Sequence, residues 1–354
     1  MGVFSCSLMD NNLIVYIMTD LFERLLILRS PKVGPVTYND LLRRFGSPGA
    51  AVDFLNVSTD VRDSVMREMD MAQQLGVKFI SDTEAHYPVA LKQVKNHPPI
   101  LSVRGNIAAL GRESVAIVGT RHATSTGMNF VADMAMAFAA HGVAVVSGMA
   151  MGTDAAAHRG ALRADGAANT VAVLAGGVDY IWPLENESLY YEILERGAVV
   201  SEMPLGFIPK GTNFVQRNRI IAGIGNKLIL SEADLGSGSM KTVEFALQMG
   251  RKIYAVPSHP ADSRGAGPNS LIRSGRAILC QGVDDFFVGD KKAKISAKKT
   301  ESESTIFEKI GTVPVSESVL AEIVGKNISE IKRELVILEL QGLIRKTDLG
   351  YVRV

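Results

Sequence analysis

The chain has 354 residues, 47% of them hydrophobic and 21% charged, with a formal net charge of +1. That composition excludes a disordered chain and allows two or three folded domains at roughly 100–200 residues each. A charge this close to zero means that a nucleic-acid site has to come from local clustering of Arg and Lys rather than from a uniformly basic surface.

Residues 1–18 read as an uncertain extension, with Met18 an alternative start. Met1-Gly2 is not followed by the Ser or Thr of a myristoylation signal, since Cys6 stands there. Residues 19–80 read as short helices forming a SAM-like helical domain. Leu21, Leu25, Leu26 and Leu28 make a helical stripe, and Tyr38 to Phe45 make a second amphipathic helix closed by Gly46. Between them lies Lys32-Val33-Gly34-Pro35-Val36, which resembles the turn of a helix-hairpin-helix. Such a turn grips phosphate through backbone N–H groups at a helix start, or simply packs two helices together.

Residues 81–288 alternate apolar strand, glycine turn and helix. Val115 to Val118, Val143 to Val146, Thr170 to Leu174, Val199-Val200, Lys227 to Leu230 and Lys252 to Val256 are the strands. Continuous apolar strands between helices predict a parallel sheet covered on both faces, an α/β domain of extended Rossmann-like type. Residues 289–304 hold Lys291, Lys292, Lys294, Lys298 and Lys299 and have the composition of a solvated linker. Residues 305–354 give two helical stripes, Val319 to Val324 and Ile328 to Leu340, a cap at Gly342, and a hairpin from Leu343 to Val354, which is the pattern of a winged helix.

Ligands of an open α/β sheet sit beyond the C-terminal strand ends, where the order of the strands switches. The unusual residues of this chain fall there. After the first strand come Gly119, Thr120 and Arg121, with Thr124 able to cap the next helix. Free N–H groups and a guanidinium suit a phosphate, although the same turn could be an ordinary βα connection. Ser147 and Gly148 follow the second strand, ahead of a helix carrying Asp154 and His158, and Ser237, Gly238, Ser239 and Lys241 open a later helix. Asp154 suits a helix cap and His158 a structural role, because no Cys or second His stands at ligand spacing. The densest charge lies in Lys210, Phe214, Arg217, Asn218 and Arg219. Cations for phosphates and an aromatic ring for a base are what single-strand binding requires, and the alternative is a salt-bridged helix start with Phe214 in the core.

The chain lacks a G-x-x-x-x-G-K-[ST] loop, a G-x-G-x-x-G turn after a strand, an H-E-x-x-H helix and a G-x-S-x-G elbow. The two cysteines, Cys6 and Cys280, are not paired by spacing and suit a reducing cytoplasm. No apolar run approaches the roughly 18 residues of a membrane span. No catalytic residue, metal or cofactor is expected.

Taken together, these segments resemble the DNA-processing protein A family. The resemblance is carried by Pro98 to Leu101 with Arg104-Gly105, Val115 to Arg121, Val145 to Ala150 with Gly152, Asp154, Ala157 and His158, and Val173 to Asp179. Arg217-Asn218-Arg219-Ile220-Ile221-Ala222-Gly223, Ser237-Gly238-Ser239, Ala255-Val256-Pro257 and Asn269 to Ile272 complete it. The resemblance implies a SAM-like domain, an extended Rossmann domain and a winged helix. It also implies a homodimer that binds single-stranded DNA and helps load RecA onto DNA covered by single-strand-binding protein, as in natural transformation. The phosphate turn maps onto Gly119-Thr120-Arg121 and the basic segment onto Arg217-Asn218-Arg219. Two departures stand out. Met240-Lys241 replaces an apolar pair, and Ser258 replaces the glycine of Val-Pro-Gly, which leaves the shape of that loop open. The rival reading is a nucleotide phosphoribohydrolase resembling the lysine-decarboxylase-like group, with Glu244 as its acid. Its Pro-Gly-Gly-x-Gly-Thr motif is echoed only in part here.

Overall fold

The computed structural model describes residues 11–287, 306–311, 314–340, 343–347 and 350–353. The chain divides into two compact units, the first ending at Phe286.

Four helices open the first unit: α1 (Asn11–Arg29), α2 (Pro35–Phe45), α3 (Pro48–Leu55) and α4 (Thr59–Leu75). α1 therefore begins inside the segment read as an extension. Local chemistry sets the ends of the others. Pro35 supplies a preset φ at the first position of α2, Gly46 closes that helix at φ 76°, and the Ser47 and Ser58 side chains cap α3 and α4 by accepting N–H groups of Ala50 and Val61. Leu25, Leu26, Ile27, Tyr38 and Val65 pack into one core that also takes in Ile100 of the sheet. Arg29 donates twice to Glu68, at 2.8 Å each, and Glu68 also accepts the N–H of Leu205 at 3.3 Å. The ion pair ties α1 to α4, while the Ile100 contact and the Leu205 N–H to Glu68 fix the helices to the sheet and to one of its loops.

That sheet has nine strands. They are β1 (Lys78–Ser81), β2 (Ile100–Gly105), β3 (Ser114–Val118), β4 (Ala144–Ser147), β5 (Thr170–Val173), β6 (Ala198–Ser201), β7 (Lys227–Leu230), β8 (Lys252–Ala255) and β9 (Ile278–Leu279), in the order β1-β2-β6-β5-β4-β3-β7-β8-β9. The seven from β6 to β9 in that order are mutually parallel, with Val115 level with both Val145 and Lys227. The expected parallel sheet carries an antiparallel edge, where β1 and β2 run antiparallel to each other and β2 runs antiparallel to β6. Both precede the first strand–helix–strand repeat, so the periodic pattern that marks the parallel strands does not include them.

Helices α6 (Ser125–Ala140), α7 (Thr153–Arg163), α8 (Glu187–Arg196), α9 (Gly211–Ile224), α10 (Gly238–Gln248) and α11 (Ala266–Arg273) connect the strands after β3, and the single turn α5 (Val89–Lys92) precedes β2. Successive strand residues serve opposite faces. Val171 and Val173 join the core beneath Ile220, Ile224 and Val243 of α9 and α10, while Ala172 packs beneath Leu189 and Tyr190 of α8. Burial on both faces accounts for the unbroken apolar runs. The chain leaves β3 in one direction, through β4, β5 and β6, then returns to place β7 on the other side of β3. The loops after β3 and β7 consequently diverge at one point and leave a crevice between them.

The second unit holds α12 (Glu317–Val324), α13 (Ile328–Leu340) and a hairpin of β10 (Ile344–Thr347) with β11 (Gly350–Arg353). Val315 bridges to Tyr351 and adds a third extended segment. Its own core comprises Ile306, Ile310, Leu320, Ile331, Leu335, Ile344 and Tyr351. Helices followed by a hairpin on a private core are a winged helix. The linker lysines from 291 to 299, the cap at Gly342 and the terminal Val354 lie outside the described residues.

Candidate functional site

A cleft of about 490 Å³ opens at the switch point, between the turn after β3 and the start of α10. Two glycines let its floor form. A Cβ on Gly119 would lie 2.4 Å from Oγ1 of Thr153, and Gly152 sits at φ 71° with its Cβ position 2.6 Å from the Thr120 and Arg121 carbonyls. The turns after β3 and β4 nest on each other through these two residues. The nesting leaves the Arg121 side chain exposed, and it reaches across to two aromatic rings.

Those rings are Trp182, in the loop after β5, and Phe214, in the first turn of α9. Their centroids are 4.5 Å apart at 59°, and the Arg121 guanidinium carbon lies 5.0 Å from the first and 6.0 Å from the second. A cation thus rests beside a half-buried aromatic pair at the cleft wall. Gly211 at the start of α9 and Ser237, Gly238 and Ser239 at the start of α10 line the same cleft. No side chain caps α10, and the Ser237 and Ser239 hydroxyls face each other at 3.3 Å. Asn218, in the middle of α9, ties that helix to the start of α10, donating to the Gly238 carbonyl at 3.3 Å and accepting from Arg217 Nε at 3.3 Å.

Beneath this surface lies a buried charge pair. Arg217 donates through Nη1 to the Gly148 carbonyl at 2.8 Å and also to the Val173 carbonyl. Asp154 accepts the N–H groups of Gly148 and Ala150 at 3.1 and 3.4 Å. Burial pushes the Arg217 guanidinium down to about 10, with Asp154 opposing that shift and Arg121 adding to it. Burial raises the Asp154 carboxyl, with the Arg217 charge opposing. Arg217 stays cationic at neutral pH and lends positive potential to the cleft floor. Asp154 is the one carboxylate among the described residues lining the cleft, and it is held by two amides. Glu244, the acid required by the phosphoribohydrolase reading, is instead exposed and paired with Lys241 at 3.0 Å. The cleft can therefore bind a phosphate ester and a flat ring, but it does not assemble the two placed carboxyl groups that glycoside hydrolysis uses.

Residues 78–289 match the family described as DNA recombination-mediator protein A, and residues 19–72 and 290–348 match its helix-hairpin-helix N-terminal domain and its winged-helix domain. The chain belongs to the DNA recombination-mediator protein A family. Among relatives, it is 30% identical to Protein Smf of Escherichia coli K12, over 82% of this chain and 81% of that one. It is 31% identical to a putative DNA processing protein DprA of Mycobacterium tuberculosis, over 89% and 87%. Among solved structures, DNA processing protein A of Streptococcus pneumoniae aligns with a TM-score of 0.61 and 27% identity, over 79% of this chain and 98% of that one. The Helicobacter pylori protein, whose structure was described for its single-stranded DNA binding mode, aligns with a TM-score of 0.56 and 27% identity, over 61% and 96%.

For this recombination mediator, the structure brings only some of the sequence-predicted residues together. Gly119, Thr120, Arg121, Phe214, Arg217, Asn218, Ser237, Gly238 and Ser239 all line the cleft, and exposed Lys210 directly precedes Gly211. Arg217 is buried, so it acts as a floor and not as a reaching cation. Thr124 is corrected. Its N–H and hydroxyl donate to the two Glu232 oxygens at 2.7 and 2.5 Å, so a carboxylate of the chain itself holds the place expected for phosphate. Ser147 is fully buried and donates to the Ile117 carbonyl at 2.7 Å, and Gly148 is buried against the Arg217 guanidinium. Arg219 faces away from the cleft and pairs with Glu202 at 2.6 Å, because residues two apart on a helix do not share a face. Lys241 is exposed and does not line the cleft.

Two of the remaining positions are structural. His158 is buried and holds Oγ1 of Thr170 at 2.7 Å, while that hydroxyl donates to the Val145 carbonyl at 2.7 Å. The proton therefore sits on Nδ1, Nε2 is left without a partner, and burial drives the ring down to about 3. Ser258, where the family pattern has glycine, is pinned at both its N–H and its carbonyl by the Asn269 side chain, at 3.1 and 2.8 Å. The loop is thus set by Asn269. Trp182 escaped the sequence reading, and one signal was available for it: it is the only tryptophan of the chain, and it follows the glycine turn after β5.

Proposed function

We propose that the cleft binds single-stranded DNA, with a base against the Trp182–Phe214 pair and the adjacent phosphates held by Arg121 and the open start of α10. The observation that carries this reading is Arg121 lying over both rings at a point where an uncapped helix begins. Stacking needs an unpaired base, and no helix is presented here for a major groove, so a single strand is preferred over duplex with little dependence on sequence. The related Helicobacter pylori protein, described as a binder of single-stranded DNA, supports the same reading. The test is fluorescence anisotropy with labelled single- and double-stranded oligonucleotides of one length at two salt concentrations. Tighter binding of the single strand at both is expected, and equal affinity would contradict it.

Family membership supports a wider role. The chain acts as a non-catalytic homodimer that passes a strand covered by single-strand-binding protein to RecA. Stimulation of RecA filament formation on such a strand, lost in Arg121→Ala, is the corresponding measurement.

A further inference from the structure

A second cavity, of about 370 Å³, opens at the end of α10 far from the cleft, against the segment that follows α5. Two cations line it, Lys95 and Arg251, and among the described residues no carboxylate does. Arg251 is half-buried. Its Nη2 donates to the Ala90 and Gly223 carbonyls at 2.8 and 3.3 Å, which ties α5 to α9 and fixes the guanidinium in the cavity wall. Those carbonyls leave its charge in place. Burial alone lowers the Arg251 guanidinium, with no acid beside it to oppose the shift. Lys95 is exposed and has no partner among the described residues. A half-buried cation without a counter-charge, in a cavity without acid, favours an anionic ligand.

The rest of the lining narrows the kind of anion. Gln93, Asn96 and Gln248 bring three carboxamides, each both donor and acceptor, and Phe245 brings a half-buried ring. Carboxamides match the edge of a nucleobase, an aromatic ring matches its face, and the two cations match phosphate. A bare inorganic anion would leave the carboxamides and the ring unused. The two sites also share α10. Ser239 and Thr242 line the cleft, and Phe245 and Gln248 line the second cavity. At the helical rise, residues 239 to 248 span about 14 Å. The exposed pair of Lys241 and Glu244 between them carries no net charge. We propose that the second cavity takes a nucleotide of the DNA strand whose other bases occupy the cleft, its phosphate between Lys95 and Arg251 and its base against Phe245. This rests on the cleft reading, and it makes the strand follow α10 from one end to the other.

Lys95 offers the test, because its side chain is exposed and holds no other part of the fold, so its replacement leaves stability unchanged. Binding of a short oligothymidine, confined to the cleft, and of a long one is measured by anisotropy against salt for the full chain. In Lys95→Gln the long strand is expected to bind several-fold more weakly, with a salt slope lower by roughly 0.7. Lys95→Arg, which keeps the charge, is expected to retain the unmodified affinity and slope. The short strand is expected to bind all three proteins alike. An unchanged long-strand affinity and slope in Lys95→Gln would overturn the proposal, as would an equal loss for both lengths. A labelled acidic peptide that binds the unmodified chain, weakens in Lys95→Gln and does not compete with the long strand would also overturn it, by making the cavity a peptide site. A failure of the cleft reading shows separately, as indifference of the short strand to Arg121→Ala.

Discussion

Arg121, Arg217 and Arg219 are one residue type put to three different uses, and burial decides which. Arg121 is exposed beside two rings, so its contribution to binding should be electrostatic and its contribution to folding small. Arg121→Ala is expected to lower the slope of log affinity against log salt by roughly 0.7 for a single strand, with an unchanged melting temperature. Trp182→Ala and Phe214→Ala should cost about 1–3 kcal/mol of binding per stacked base and leave the slope alone, because stacking releases few ions. Arg217 is the reverse case. Its guanidinium grips the Gly148 and Val173 carbonyls above Asp154, so Arg217→Met strands a buried carboxylate and should destabilise the fold by about 3–5 kcal/mol in urea unfolding. The chemistry of this cluster was legible in the Arg-Asn-Arg run, but its orientation was not, since helix phase alone turns Arg217 inward and Arg219 to the far side. His158 adds a pH signature. Its folded-state value lies near 3 against 6.5 in the unfolded chain, so the neutral ring's contribution is fully present above pH 6.5 and is lost as pH falls toward 3. His158→Asn, which keeps a donor for Thr170, should flatten the loss of stability between pH 6.5 and 4 seen in chemical denaturation of the unmodified chain.

At the scale of elements, the site depends on which helix starts are open. The turn after β3 looks, in sequence, like the phosphate-binding start of a Rossmann unit. In the structure Glu232, from the loop after β7, caps it through Thr124, and Thr124 Oγ1 in turn accepts the Gly127 N–H at 2.9 Å. Glu232 lies 108 residues beyond Thr124, which is why no local pattern reveals the closure. α10 has no such partner, and its Ser-Gly-Ser start faces the cleft. Removing the carboxylate in Glu232→Ala strips α6 of a tertiary cap and a favourable charge at its positive end. A loss of about 0.5–2 kcal/mol in stability is expected, read from urea unfolding midpoints. Six of the seven parallel strands were legible because burial on both faces writes them as unbroken apolar runs, while the two-residue edge strand β9 is exposed and gave no such run. β1 and β2 were not, because they lie at the antiparallel edge, outside the repeat that made the others visible.

For the whole molecule, the two units carry separate cores, and every residue of the cleft belongs to the first. A chain ending near Val288 should therefore stay folded and keep most of its single-strand affinity. A folded truncation that no longer binds would move the principal site to the winged helix. The family and its three domains could be read from motifs in order along the chain, because each motif is local. The seat of the helical domain on the sheet could not, because it depends on Ile100 joining the helical core and on Glu68 accepting the Leu205 N–H, pairings far apart in the chain. The central claim, that the strand lies against Trp182, can be read directly, since this is the chain's only tryptophan. Intrinsic fluorescence is followed while oligothymidine is added, with anisotropy of the labelled strand recorded in parallel. Saturable quenching that tracks the anisotropy, and that weakens in Arg121→Ala, is the expected result. Full binding by anisotropy with no change in Trp182 emission would place the DNA elsewhere and contradict the account.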